Sequence, residues 1–262
     1  MFRLTSSFLV LCLGCLLGYL VTAHSGPQGA RADAENKTVR AVRSAECRWA
    51  SEPITPDGKL DEPAWQSAQV LKDFAVFWEN RRPKTATKAR LLWDDKYLYF
   101  AAEMEDTDLY ADVREHNGMC WYNDVFELFF KPAQDQLGYY EFQVNAANTQ
   151  LEMFLPSRGA GGYGRFHHDR LGIESQVHLD GTLNHWQDKD KGWTVEGRIP
   201  WTAFEPTGGK PRPGAKWRFS LSRYDYSVGF EQPELSSSAP LTRSDFHRYE
   251  DYSELVFVGA KE

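Results

Sequence analysis

Nine short segments of this chain have the character of β-strands, and no amphipathic stretch long enough for a substantial helix separates them. They are 87–93, 97–104, 125–130, 139–145, 150–155, 172–179, 193–199, 216–223 and 254–258, each bounded by Gly, Pro, Asn or Asp. Parallel strands need crossovers of a dozen or more residues, usually helical, so this spacing predicts an all-β fold: an antiparallel β-sandwich of jelly-roll type with short helical turns. Alternation supports it. In WTVEGRIP, Trp193, Val195 and Ile199 share one face and Thr194, Glu196 and Arg198 the other; in KWRFSLSR, Trp217, Phe219 and Leu221 alternate with Arg218, Ser220 and Ser222. Each such strand buries one side.

The N-terminus places Arg3 before an apolar run from Phe8 to Val21, and Val21-Thr22-Ala23 follows as a small-residue cleavage site. A signal peptide over 1–23 is expected, and with it a secreted or periplasmic location. The run falls short of the roughly 20 apolar residues of a membrane span. Cys15 follows Gly14, but Cys12 upstream and the apolar residues downstream match a lipoprotein signal poorly. The polar stretch 24–51 is expected as a linker and 52–262 as the folded domain. Within it, ITPDGKLDEPAW suggests a turn at Asp57-Gly58 and a helical turn opening at Pro63, with Trp65 as its apolar anchor.

Without residues 1–23, whose only cation is Arg3, 29 of the 30 Lys and Arg face 37 Asp and Glu. An acidic chain with no basic stripe argues against nucleic acid and anionic membranes as partners. Beyond the leader only Cys47 and Cys120 remain, either as one disulfide or as two buried thiols.

The stretch MCWYNDVFELFF at 119–130 crowds Trp121, an amide and an acid before a strand that carries a lone Glu127. Glu127 shares parity with Val125 and Phe129. In YYEFQVNA, Glu141, Gln143 and Asn145 share one face while Phe142 and Val144 point to the core. Two outcomes follow from this pattern. The polar row faces water, as on many sandwich strands, or neighbouring strands form a polar floor with Trp121 at its rim. An indole packs against the apolar face of a sugar, while carboxylates and amides pair with its hydroxyls.

The series DGKLDEPAW, ATKARLLWDDKYLYFAAEMED, WYNDVFELFF, YYEFQVN, GWTVEGRIPWTAF and FHRYEDYSELVFV resembles the family-9 carbohydrate-binding modules and their DOMON-like relatives, over 54–258. The resemblance implies a β-sandwich that holds a sugar-chain end between two aromatic side chains, often with structural calcium, and an association with carbohydrate catabolism and O-glycosyl hydrolases. Carried over by position, the first clamp tryptophan matches Trp121, with Asp124 as the strand-opening acid and Glu127 following. The second clamp position holds Phe246. Gln143 stands where the best-known members carry an arginine, with Asn145 two residues on, and Arg243 offers another donor. The carbohydrate-binding set implied is therefore Trp121, Glu127, Gln143, Asn145, Arg243 and Phe246.

Oxygen-rich clusters at Asp94-Asp95 and at Glu103, Glu105, Asp106, Asp108 and Asp112 are read as solvated turn acids or as calcium ligands; EF-hand spacing is absent. His167-His168-Asp169 has no zinc-site spacing, and no catalytic residue is assigned. A haem-binding DOMON-like domain is the alternative from another class, with Met104, Met119 or Met153 and His116 or His168 as ligand candidates. A hydrolase would use Glu127 and Glu141 as its carboxyl pair.

Overall fold

The computed structural model describes residues 39, 41–158 and 170–260. The expected signal peptide, His167, His168 and Asp169 lie outside these residues. Among the described residues eleven strands form: β1 (Ser44–Trp49), β2 (Thr87–Trp93), β3 (Tyr97–Glu105), β4 (Val125–Lys131), β5 (Tyr139–Asn145), β6 (Gln150–Leu155), β7 (Glu174–Asp180), β8 (Gly192–Pro200), β9 (Lys216–Asp225), β10 (Glu234–Ser237) and β11 (Ser253–Val258). All nine expected strands are present, with ends within two residues of those anticipated. The helical segments are short 3-10 turns, among them Pro63–Ser67 with proline at its start.

The topology departs from an antiparallel sandwich. One continuous sheet runs β6-β5-β4-β9-β11-β1-β2-β3-β8-β7, with β10 added to β9. Its two flanks are antiparallel throughout, but β1 pairs in parallel with both β11 and β2. The segment expected as the end of a linker is thus the strand that joins the flanks. Its inward residues, Ala45 and Cys47, are small, so β1 shows little hydrophobic alternation despite its place in the sheet.

The mixed sheet curls around one main core. Phe126, Leu128 and Phe130 of β4, Tyr140, Phe142 and Val144 of β5, and Trp217, Phe219 and Leu221 of β9 meet Trp193, Val195 and Ile199 of β8 in a single cluster. Burying each such side chain contributes roughly 1.5–3 kcal/mol. Asp94 is a turn acid. Its Oδ1 accepts from Lys96 N at 2.7 Å and Tyr97 N at 2.8 Å, and its Oδ2 accepts from the Tyr99 hydroxyl at 2.8 Å. Cys47 and Cys120 are both free and buried, so the disulfide alternative is excluded.

On the outer face of β8, Glu196 is fully buried beneath the DGKLDEPAW segment. It accepts from Trp65 Nε1 at 2.7 Å, Asp57 N at 2.8 Å and Gly58 N at 3.1 Å. Gly58 adopts φ +87°, and a Cβ there would stand 3.0 Å from His178 N, so the turn packs directly on β7. Glu196→Ala would strand three donors at once. At about 1–3 kcal/mol per orphaned group, urea denaturation should show a loss of about 3 kcal/mol or more; a loss under about 1 kcal/mol would mean that this carboxylate does not anchor the segment.

Candidate functional site

Trp121 stands in a 3-10 turn, Cys120–Tyr122, immediately before β4. The residues after it, Asn123 and Asp124, are fully buried and hold the turn in place. Asn123 Oδ1 accepts from Val113 N at 3.0 Å and Asn145 Nδ2 at 2.9 Å, while Asn123 Nδ2 donates to Asp112 at 2.8 Å. Asp124 accepts from Tyr110 N and Tyr226 N, each at 2.6 Å. The Tyr226 hydroxyl donates to Trp121 O at 2.8 Å. The polar residues that looked misplaced ahead of a hydrophobic strand therefore fix the indole's backbone.

Across β4 and β5, Glu127 lies directly opposite Gln143 and Phe129 opposite Glu141. The polar row is covered. A chain segment that includes Ala239, Leu241, Phe246 and Tyr252 folds over it and builds a second apolar cluster with Val125, Phe129 and Tyr139. Between cover and floor lies a cavity of about 200 Å³, lined by Trp121, Glu127, Glu141, Gln143, Phe246 and His247 among others. That is below the roughly 300–1,000 Å³ of sites for drug-sized ligands and suits a small polar group or a single ring.

The floor consists largely of acceptors. Gln143 Nε2 donates to Glu141 Oε1 at 2.6 Å, which leaves Glu141 Oε2 and Gln143 Oε1 buried without a hydrogen-bond partner. His247 Nδ1 is 3.9 Å from Glu141 Oε2 and 2.9 Å from the Tyr139 hydroxyl. Burial, then the neighbouring Glu141 charge, hold the Glu127 carboxyl well above its ordinary 4.5. Burial also raises Glu141, opposed by His247 and by the Gln143 hydrogen bond. Two like carboxylates in one dry pocket disfavour double ionisation and titrate as a pair.

The sign of the resulting pH dependence is fixed. With the folded value raised, the folded state binds more protons than the unfolded state from about the ordinary 4.5 upward, so this group makes stability fall as pH rises. Glu127→Gln should therefore raise Tm by a few degrees near pH 7.5, on the order of 1 kcal/mol, and the gain should shrink toward about pH 4. Thermal scans at the two pH values check this; an equal or negative shift at both contradicts it.

Of the six residues expected in the site, Trp121, Glu127, Gln143 and Phe246 line the cavity, and Asn145 and Arg243 do not. Asn145 is fully buried, and its amide is consumed by Val113 O, Asn123, Ala147 N and Thr149 N. It closes a loop and has no capacity left to recognise hydroxyls. Arg243 is solvent-exposed. Phe246 is only 5% exposed, with T-shaped contacts to Trp78 at 6.3 Å and Tyr224 at 5.3 Å, and forms part of the cavity wall. Glu141 and His247 were not among those six; Glu141 was legible as a member of the polar row, but nothing local in the sequence placed His247 beside it.

A second polar cluster lies where the inner faces of three chain segments run past their last apolar residues. Asp106, Asp124 and Asp225 are buried, with carboxylate oxygens within 4.8 Å of one another. Arg223 Nη2 reaches Asp106 at 2.9 Å and Asp225 at 3.4 Å. Burial pushes Asp106 up to about 7. Three carboxyl groups gather around one guanidinium, and Asp225 Oδ1 has no hydrogen-bond partner. This hard-oxygen donor set fits a Ca²⁺ ion. Of the acids on 103–112 read as solvated turn acids or as calcium ligands, Asp106 belongs to it; Glu103 pairs with Arg90 at 2.7 Å, and Asp112 serves Tyr110 and Asn123. The haem candidates fare differently. Met104 packs in the main core, Met153 in the second cluster, and His116 lies 3.3 Å from Glu152.

Residues 56–259 match the family model for the carbohydrate family 9 binding domain-like family. Endo-1,4-beta-xylanase A from Thermotoga maritima is 30% identical over 156 residues, 58% of this chain. The match spans only 12% of that enzyme's length. Among solved structures, a family-9 carbohydrate-binding module from Caldicellulosiruptor kristjanssonii in complex with cellotriose superposes with a TM-score of 0.57 at 17% identity, over 84% of this chain and 95% of that one. A family-9 carbohydrate-binding module from the same organism in complex with glucose gives 0.55 at 17% identity, over 83% of this chain and 97% of that one. At this identity the two structures establish the shared fold.

Proposed function

Because the chain belongs to the carbohydrate family 9 binding domain-like family, we propose that it is an exported, non-catalytic module that holds the end of a glycan or oligosaccharide. Trp121 stacks on the apolar face of the terminal ring, and Glu127, Glu141 and Gln143 accept hydrogen bonds from its hydroxyls. The observation that carries this is the pair of buried acceptors without partners, Glu141 Oε2 and Gln143 Oε1, lining a cavity walled by an indole. Leaving such atoms orphaned costs about 1–3 kcal/mol each, a cost that a hydroxyl-bearing ligand removes. The relatives' ligands and activities, cellotriose, glucose and xylan hydrolysis, favour a role in carbohydrate breakdown.

Titration calorimetry with glucose, cellobiose, xylobiose and a wider glycan panel tests the proposal. One saturable site for at least one saccharide is expected; no heat at the highest soluble concentrations of the whole panel would defeat it. A hydrolase is the second reading, since two carboxyl groups line one cavity. New reducing ends after incubation with xylan or cellulose would favour it over a binding module. The haem reading is tested by a visible spectrum, in which a Soret band would support it.

We also propose that Asp106, Asp124 and Asp225 hold a structural Ca²⁺. Chelator-treated protein should then gain several degrees in Tm on adding millimolar Ca²⁺, and Asp225→Asn should abolish the gain. An unchanged Tm would remove calcium from the account.

A further inference from the structure

The cavity floor gathers two buried carboxyl groups, and this bears on which saccharides it takes. Glu127 and Glu141 are each 2% exposed, and both line it. The basic side chain beside this pair is His247, whose Nδ1 lies 3.9 Å from Glu141 Oε2 and 2.9 Å from the Tyr139 hydroxyl. The strand position facing Glu127 carries neutral Gln143, whose amide donates to Glu141 and whose carbonyl is left unpaired. The polar atoms without partners are thus acceptors, beside two acids, and the wall is an indole. A buried carboxylate is stabilised by a partner of opposite charge, and a cation over an indole face gains a further attraction. A neutral sugar supplies hydroxyl donors but no positive charge to favour ionisation of the carboxyl pair.

From this juxtaposition we infer that the site prefers a saccharide end bearing a free ammonium group, an unacetylated hexosamine, over the corresponding neutral or N-acetylated sugar. The ammonium sits against Glu141 and Gln143 Oε1, supplying three donors to an acceptor floor, while the ring packs on Trp121. The inference rests on the carbohydrate reading of the site.

Titration calorimetry near pH 6.5 compares glucosamine and galactosamine with glucose, galactose and N-acetylglucosamine. An amino sugar should bind roughly tenfold more tightly than its neutral counterpart, about 1.4 kcal/mol, with N-acetylglucosamine no tighter than glucose. Glu141→Gln, which keeps the shape and removes the charge, should weaken amino-sugar binding more than neutral-sugar binding and bring the ratio close to one; Glu127→Gln provides a second variant should the first not fold. Equal affinities for charged and neutral sugars, or a preference that survives both substitutions, overturn the inference and leave the carbohydrate reading standing. Binding by none of the sugars overturns both.

Discussion

Arg223→Met will destabilise the protein by about 3–5 kcal/mol, among the largest effects of any single side chain outside the aromatic core. Arg223 is 1% exposed, and its guanidinium donates to Asp106 at 2.9 Å, Glu105 O at 2.8 Å and Thr85 Oγ1 at 3.2 Å. Methionine fills similar volume, so the loss isolates charge from packing. Removing the cation leaves Asp106, Asp124 and Asp225 buried together with no guanidinium among them. Because Asp124 also accepts from Tyr110 N and Tyr226 N, the substitution loosens the turn that carries Trp121. Urea denaturation measures the loss, and millimolar Ca²⁺ should restore part of it. A change under about 1 kcal/mol would show that the acids are neutralised by other means.

Trp121→Ala should leave the fold nearly intact and weaken saccharide binding by at least roughly 30-fold, about 2 kcal/mol, the scale of a stacked aromatic anchor. The side chain is half-buried at the cavity's edge, and the turn is fixed through Asn123, Asp124 and the backbone oxygen of residue 121, which the substitution keeps. Tm should therefore shift by only a few degrees. Tyr122→Ala is the matched control. Its ring is 57% exposed, packs 5.7 Å from the Trp121 ring and does not line the cavity, so affinity should fall far less than for Trp121→Ala. Equal weakening by both substitutions would place the binding surface outside the cavity.

The flanks of the sheet were legible because alternation of large apolar residues repeats on each strand, as in Trp217, Phe219 and Leu221. The joining strand β1 was not, since Ala45 and Cys47 give weak contrast and parallel pairing with β2 and β11 leaves no hairpin turn in the sequence. The polar row of Glu127 and Gln143 followed from parity, but its burial depended on a covering segment more than ninety residues further along the chain. The same distance explains Phe246, where sequence supplied an aromatic ring and packing against Trp78, Phe129 and Tyr224 made it part of the cavity wall. Asn145 falls at the end of β5, where capping a loop outweighs recognition. The acidic cluster carried a signal that parity contained: Arg223 and Asp225 continue the row of Trp217, Phe219 and Leu221 toward the core, and Asp124 precedes Phe126 and Leu128 on theirs.

The claim on which the functional account rests is that a saccharide end occupies the cavity between Trp121 and the β4–β5 floor. A crystal of the protein soaked with the tightest-binding saccharide tests it directly. The account predicts density for one ring packed on the Trp121 indole, with polar substituents within hydrogen-bonding distance of Glu141 Oε2 and Gln143 Oε1. A saccharide bound elsewhere, with that cavity holding only water, would contradict it.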